Sequence, residues 1–256
     1  MRVRNINLGE GIPKVCVPLV GKTLPELLEE AALAREAGAD LAEWRADHLA
    51  EPAGAAELLG PLRAALGELP LLFTFRTAAE GGAREIPSAA YEKLLLEAAT
   101  SGCVDLVDVE LFRGEDLCRK VINFTRGRQA VVLSSHDFAA TPGREVLEER
   151  LERMHALGAD IPKLAVTPHS PEDVLTLLAA TLAFRQKHPG CPVITISMGE
   201  LGMLSRVAGA CFGSCLTFGA VRSASAPGQP AAAELKAALR MLGGGEVNGG
   251  RDLGQL

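Results

Sequence analysis

Short apolar runs alternate with helix-forming segments along most of the chain, and this alternation limits the folds that the chain can adopt. The runs predict strands at 14–19, 40–46, 71–76, 105–110, 130–135, 161–166, 193–197 and 216–221. After the first run, Leu24, Leu27, Leu28 and Ala31 recur at helical spacing, and each later run is also followed by a predicted helix. Alternating strands and helices predict parallel strands joined by crossover helices.

Eight such units favour a closed barrel over an open sheet, and barrels of this kind often have about this length of 256 residues. No Gly-x-Gly-x-x-Gly motif follows the first strand, which argues against a dinucleotide-binding fold. The units share no repeated motif, which argues against a solenoid. We therefore expect one α/β domain, a (β/α)8 TIM barrel at 1–242 with a short N-terminal β-hairpin at 1–13. We expect the glycine-rich tail at 243–256 to be mobile.

The composition of the chain argues against several functional classes. The 26 basic and 32 acidic side chains give a net charge of −6 without a basic patch, which argues against a nucleic-acid partner. No apolar run is long enough to span a bilayer, and the N-terminus lacks a signal-peptide core, so we expect no membrane association and a cytoplasmic protein. The six cysteines are scattered without metal-ligand spacing, which predicts free thiols and no metal site.

Charged residues gather at the carboxyl ends of the predicted strands, the end of such barrels that carries the active site. In the second strand, period-two alternation places Glu43, Arg45 and Asp47 on one face and Trp44 on the other. Charges converging inside a barrel cost desolvation free energy unless they pair or bind a ligand. Two interpretations of these charged side chains remain open: they line a ligand-binding site at the end of the barrel, or they form an internal ion-pair layer that holds the barrel closed.

Lys163 lies near the middle of the apolar sixth strand, and His136 lies at the end of the fifth. Lysine is seldom buried without a partner or a chemical role. A desolvated ammonium loses its charge readily, which makes the amine a nucleophile. We predict that Lys163 forms a Schiff base and that His136 transfers the protons; the alternative is a snorkelling or ion-paired lysine.

Other polar residues are predicted at the same end of the barrel. Arg76 ends the third strand, and Glu80 follows in a glycine-bearing loop, where it could orient a histidine. After the last strand, the small-residue loop at 223–229 suits close approach by a ligand. The remaining histidines, at positions 48, 155, 169 and 188, are expected to be surface or helix-capping residues.

Over nearly the whole chain, these residues resemble the type I 3-dehydroquinate dehydratase family. The resemblance rests on Gly9-Glu10-Gly11, Pro13-Lys14, Gly21-Lys22-Thr23, Glu43-Trp44-Arg45-Ala46-Asp47-His48, Phe73-Thr74-Phe75-Arg76-Thr77, Asp108-Val109-Glu110-Leu111, Ser134-Ser135-His136-Asp137-Phe138, Pro162-Lys163, Ser197-Met198-Gly199, Ser205-Arg206 and Ser225-Ala226-Pro227-Gly228-Gln229. No single motif is decisive, but the ordered set at the strand ends is highly specific.

The resemblance implies a homodimeric barrel hydro-lyase that needs neither a metal nor an organic cofactor. It implies dehydration of 3-dehydroquinate to 3-dehydroshikimate, the third step of the shikimate pathway toward chorismate and the aromatic amino acids. By resemblance, Lys163 forms an imine with the substrate ketone, His136 is the general acid and base, and Glu80 orients His136.

The resemblance also assigns substrate-binding positions. Arg206, Ser225 and Gln229 match residues that hold the substrate carboxylate and close over it. Glu43, Arg45 and Arg76 match residues that contact the ring hydroxyls and the carbonyl region, and Met198 matches an apolar wall beside the imine. One departure is Pro18 in the first strand, where the family often has a small hydroxyl residue; this would remove a ligand contact.

Two alternatives belong to other functional classes. One is another imine-forming barrel lyase or class I aldolase acting on a small keto acid; the set Arg206, Ser225 and Gln229 argues against it. The other is an inactive barrel that only senses a quinate-like acid. Lys163 and His136 argue against the sensor, because binding alone requires neither.

Overall fold

Eight parallel strands and eight helices alternate along the chain in the computed structural model, which describes residues 1–243. The strands are β1 (Lys14–Leu19), β2 (Leu41–Arg45), β3 (Leu71–Thr74), β4 (Leu106–Glu110), β5 (Ala130–Asp137), β6 (Ile161–Val166), β7 (Ile194–Ser197) and β8 (Leu216–Phe218). The helices are α1 (Leu24–Glu36), α2 (Ala55–Leu66), α3 (Ser88–Thr100), α4 (Glu115–Thr125), α5 (Arg144–Leu157), α6 (Pro171–Lys187), α7 (Met203–Phe212) and α8 (Ala232–Gly243). Apart from its first residue, the tail predicted to be mobile lies outside the described residues.

The strands form one nearly closed parallel barrel in chain order, with β8 paired to β1. The remaining seam, between β7 and β8, is spanned by a single parallel bridge between Val193 and Ser214. There the backbone N–H of Cys215 donates to the carbonyl of Val193 at 2.8 Å. The predicted TIM barrel is therefore confirmed, and so is the N-terminal hairpin, which pairs Arg2–Val3 with Ile6–Asn7.

Period-two alternation sorts the strand side chains into an outer and an inner set. Outward side chains such as Trp44, Phe73 and Leu164 belong to the larger hydrophobic cluster, which includes the apolar faces of the helices. The first inward side chains form a second, apolar cluster with Val3 and Leu8 of the hairpin region. These inward residues are Cys16, Leu41, Leu72, Leu106, Val132, Ile161, Ile194 and Leu216.

Two residues further along each strand, the inward set becomes more polar. Its members are Pro18, Glu43, Thr74, Asp108, Ser134, Lys163, Ile196 and Phe218, all of them buried. Because every strand is parallel, these positions lie toward the same end of the barrel. The first inward layer is thus an apolar floor. The second layer above it, the charged layer, contains the charged side chains Glu43, Asp108 and Lys163.

Several element boundaries differ from the sequence-based expectation: β3 ends at Thr74 instead of 76, and β5 runs to Asp137 instead of 135. Three further differences have local reasons. Residues 52–54 form a 3-10 turn before α2. Helix α5 begins at Arg144 instead of near Thr141, because the Thr141 hydroxyl donates to the carbonyl of Thr167 at 3.0 Å and holds the loop against β6. Strand β8 ends at Phe218 instead of 221, where Gly219 leaves room for the backbone of Ala232.

Candidate active site

A pocket at the carboxyl end of the barrel brings together all nine residues that were predicted to form the site. These are Glu43, Arg45, Arg76, Glu80, His136, Lys163, Arg206, Ser225 and Gln229. The pocket is partly open to solvent, and the roughly 480 Å³ of space between its atoms includes some of that solvent. Met198 also lines it, at the expected apolar wall.

Lys163 projects from β6 into this pocket and is only 4% exposed. Its Nζ lies 3.4 Å from Asp108 Oδ2 and 3.6 Å from Glu43 Oε1. On another side, Nζ stands over the ring of Phe218, 4.8 Å from the centroid, within the range of a cation–π contact. Lys163 is therefore buried and ion-paired, as one alternative held, and also directed at the pocket, as a nucleophile would need to be.

His136 is held by Glu80 through two contacts. Glu80 Oε2 lies 2.9 Å from His136 Nδ1 and accepts the backbone N–H of His136 at 3.0 Å. Glu80 belongs to a 3-10 turn at 78–80 that ends at Gly81, whose φ of +80° favours glycine. Because Nδ1 is engaged, Nε2 is the ring nitrogen available to a ligand.

Burial shifts both members of this pair toward their neutral forms. It raises the pKa of Glu80 to about 8, although Arg76 opposes the shift. Burial, followed by the charges of Arg76 and Lys163, lowers the pKa of His136 well below its usual value. The imidazole is consequently uncharged near neutral pH, the state that can accept a proton.

Arg76 pairs with three acids from two segments, the strand β4 and the turn at 78–80. Its guanidinium lies 2.8 Å from Asp108, 3.0 Å from Glu110 and 3.5 Å from Glu80. Burial alone would raise the pKa of Asp108, but Arg76 and Lys163 outweigh it and hold that pKa below the usual value. Arg76 is thus both a pocket residue and part of an internal ion-pair layer, and so is Arg45, which pairs with Asp47 at 2.7 Å.

Arg206 has a different environment. It is 2% exposed and has no acidic partner within residues 1–243. One guanidinium nitrogen donates to the carbonyl of Pro227 at 2.8 Å, while Nε is buried without a partner. Burial lowers the pKa of Arg206 to about 10. A buried, unpaired guanidinium on a pocket wall is suited to bind a carboxylate.

The loop at 223–229 lies over the pocket and is held by its own side chains. Gln229 Oε1 accepts the backbone N–H of Ser225 at 2.8 Å, and Gln229 Nε2 donates to Ser225 Oγ at 3.0 Å. Arg45 donates to the carbonyl of Ser225 at 3.3 Å. Gly228, with φ +71°, packs against the backbone of Gly199, where a side chain would overlap.

Asp108, Phe138 and Phe218 are among the residues at the site that were not assigned from the sequence. The strand-end spacing of Asp108 and Glu110 was a usable signal, but it did not reveal contact with Lys163. Phe218 gave no signal, because one apolar residue within an apolar strand does not stand out. Pro18 lies in register with Glu43 and does not line the described pocket.

The other histidines lie outside this pocket. The rings of His155 and His188 lie with centroids 4.1 Å apart and planes tilted by 44°, and His188 caps α6. His169 contacts the carbonyl of Ala139, and His48 lies near Asp47. In the part of the chain that the structure describes, no group of three metal-ligating side chains occurs, and no helix has the length and apolarity to cross a membrane.

Comparison with known proteins agrees with this geometry. The family model described as Type I 3-dehydroquinase matches residues 15–246. A 3-dehydroquinate dehydratase from Klebsiella pneumoniae is 50% identical over 244 residues, which cover 94% of this chain and 97% of the relative. One from Clostridium botulinum is 47% identical over 246 residues, with the same two coverages.

Solved structures agree as well. A type I 3-dehydroquinate dehydratase from Clostridium difficile, described with covalently modified comenic acid, superposes with a TM-score of 0.91 at 43% identity, covering 95% of this chain and 98% of that one. The 3-dehydroquinate dehydratase from Geobacillus kaustophilus gives 0.92 at 38% identity, with coverages of 96% and 97%. This chain belongs to the type I 3-dehydroquinase family.

Proposed function

We propose that this chain is a hydro-lyase that converts 3-dehydroquinate to 3-dehydroshikimate in the shikimate pathway, through an imine on Lys163. The observation that carries the proposal is the meeting, in one pocket, of a buried lysine, a neutral imidazole held by a carboxyl group, and an unpaired guanidinium. Each of these groups has a separate task in the dehydration of a cyclic keto acid.

Lys163 supplies the electron sink. Its neutral amine attacks the ketone carbon of the substrate, and loss of that oxygen as water leaves an iminium. Asp108 and Glu43 lie near Nζ and stabilise its positive charge. The iminium withdraws electrons from the neighbouring carbon C2 and so makes its proton acidic.

His136 transfers the protons. Its Nε2 takes the C2 proton, and the electron pair left behind forms an enamine with the imine nitrogen. The enamine then expels the C1 hydroxyl, which leaves as water after receiving a proton from His136. Glu80 keeps Nδ1 engaged, so that Nε2 stays directed at the substrate. Hydrolysis of the conjugated iminium frees the product and Lys163.

Arg206 orients the substrate through its carboxylate, and Ser225 and Gln229 complete that end of the pocket. Glu43, Arg45 and Arg76 face the ring hydroxyls and the carbonyl region. Because Arg76 is already paired with three acids, its role is to set the field around the ring. Arg206 has no acidic partner among the described residues, so its positive charge is available to the substrate carboxylate.

An imine-forming aldolase would share Lys163 but would cleave a carbon–carbon bond. An absorbance assay separates the two reactions, because the dehydration product is a conjugated enone that absorbs in the near ultraviolet. We expect purified protein with 3-dehydroquinate to produce this absorbance and a single product that lacks one water. Two smaller fragments, or binding without turnover, would overturn the proposal.

We also propose that the chain acts as a homodimer in the cytoplasm. Support for the dimer is the family membership, together with exposed leucines at Leu175 and Leu204 of neighbouring helices. Support for the location is the six unpaired thiols, which persist in reducing compartments. Sedimentation at twice the chain mass and recovery in the cytoplasmic fraction are the expected results; a monomer, or recovery elsewhere, would contradict the respective proposal.

A further inference from the structure

Phe138 is a large aromatic residue that remains 42% exposed at the rim of the active-site pocket. It follows His136 by two residues, and both side chains line the pocket. The proposed dehydration mechanism assigns no role to Phe138. An aromatic ring exposed at this place needs a physical explanation.

The ring is seated on the loop that carries Glu80. A Cβ built on Gly81 would overlap ring atoms of Phe138, so the ring rests directly on the backbone of the residue after Glu80. Gly81 itself ends the turn at 78–80, with its N–H donating to the carbonyl of Ala78 at 3.1 Å. The ring therefore connects the end of β5 to the turn that supplies the carboxyl partner of His136.

The backbone around Phe138 is fixed independently of the ring. Asp137 Oδ1 accepts the backbone N–H groups of Ala139 at 3.2 Å and Ala140 at 3.1 Å. The carbonyl of Asp137 accepts the Thr167 hydroxyl at 3.1 Å. The position of the ring is thus set by its own loop and is available before any ligand binds.

The Glu80–His136 pair lies beside this ring, because Gly81, on which the ring rests, directly follows Glu80, and Phe138 follows His136 by two residues. Burial is the largest cause of the shifted pKa of both Glu80 and His136. The charged groups that act on the pair come from β2, β4, β6 and the segment after β3: Arg76, Asp108 and Glu110 act on Glu80, and Arg76, Lys163 and Arg45 act on His136. These charges would remain if the ring were removed, whereas the burial on the rim side would not.

We propose that Phe138 is a positioning residue: an apolar cover, seated on Gly81, that keeps water from the Glu80–His136 pair in the working enzyme. The catalytic consequence rests on the proposed function, in which neutral His136 takes the C2 proton. The effect on the imidazole itself does not depend on turnover.

The test compares Phe138→Ala with Phe138→Leu in the full-length protein. A pH titration followed by 15N NMR of the His136 ring, assigned with His136→Gln, should show that Phe138→Ala raises the imidazole pKa by about one unit or more. The ratio of kcat/KM at pH 5.5 to that at pH 7.5 should fall in the same variant, because a larger fraction of His136 is then protonated at the lower pH. Phe138→Leu preserves an apolar cover and should leave both readouts near wild type.

Phe112→Ala serves as the matched control, because Phe112 is 58% exposed and does not line the pocket. If Phe138→Ala does not fold, Phe138→Gln provides the same comparison, since it keeps a side chain of some length but admits water. A drop in kcat/KM with an unchanged imidazole titration would overturn the proposal and make Phe138 a substrate contact. Equal shifts in the Leu and Ala variants would also overturn it. Failure of wild type to dehydrate 3-dehydroquinate would instead refute the proposed function and leave the titration interpretable.

Discussion

At the residue scale, two buried arginines in one pocket show how charge is divided between structure and function. Arg76 has three acidic neighbours, whereas Arg206 has none among the described residues. Breaking a buried ion pair leaves an uncompensated charge, but removing an unpaired charge relieves a desolvation cost. The two positions should therefore respond in opposite ways to the same substitution.

Arg206→Met should raise KM by about 10- to 100-fold, because the substrate carboxylate loses its partner, while changing the free energy of unfolding by no more than about 1 kcal/mol. Arg76→Met should lower the free energy of unfolding by about 3–5 kcal/mol, because Asp108 and Glu110 lose their cation. Steady-state kinetics and urea unfolding measure the two effects. Destabilisation of similar size in both variants would refute this division.

The contribution of Glu80 to the free energy of unfolding depends on pH. Its pKa is raised in the folded protein from the ordinary 4.5 to about 8, so the folded state holds a proton that the unfolded state has released. This group's contribution to stability is complete below pH 4.5 and is lost as the pH rises toward 8.

Glu80→Gln does not titrate, so its free energy of unfolding relative to wild type should improve by about 4 kcal/mol between pH 5 and pH 9. Urea unfolding at several pH values measures this difference. Glu149→Gln, at an exposed carboxyl group on α5, is the matched control and should show no such trend. Parallel pH dependence in Glu80→Gln and wild type would contradict the raised pKa.

At the element scale, the loop at 223–229 depends on contact between two glycine backbones. Gly228→Ala should raise KM severalfold, because a methyl group would overlap the carbonyl of Gly199 and lift the loop from the pocket. Gly102→Ala is a matched control: its φ of +70° resembles the +71° of Gly228, but open space surrounds it. Both variants should lose about 1 kcal/mol of stability from backbone strain. If Gly102→Ala alters KM as much as Gly228→Ala, loop displacement is not the cause.

The sequence predicted the elements well and their ends less well, for reasons visible at particular residues. The apolar alternation determined all eight strand–helix units, because buried parallel strands and amphipathic helices differ in period. The start of α5 depended on a hydrogen bond from Thr141 to Thr167, and the end of β8 on packing of Ala232 against Gly219. Both are contacts between elements, which local spacing does not encode.

The same limit applies to the site. Side chains two residues apart on a strand point to the same face, and this spacing places Glu43, Asp108 and Lys163 at one level of the barrel. The spacing can be read from the sequence alone. The sequence does not contain the distances that pair Lys163 with Asp108. Nor does it show that Phe138 rests on Gly81, because two distant loops must meet for that contact to exist.

At the scale of the whole molecule, we propose that residues 1–242 suffice for folding and activity. The apolar floor, the charged layer and the loop at 223–229 all lie within this range. A chain truncated after residue 242 should keep its Tm within about 2 °C and its kcat/KM within about twofold, as measured by calorimetry and kinetics. A large loss of either would show that the tail contributes to the fold or to the site.

The central claim is that Lys163 forms an imine with the substrate, and borohydride reduction tests it most directly. Protein treated with 3-dehydroquinate and borohydride should carry a ligand-derived mass on the peptide containing Lys163, and Lys163→Met should carry none. Omission of either reagent should also abolish the adduct. Active enzyme that turns over substrate yet shows an unmodified Lys163 after reduction would contradict the account.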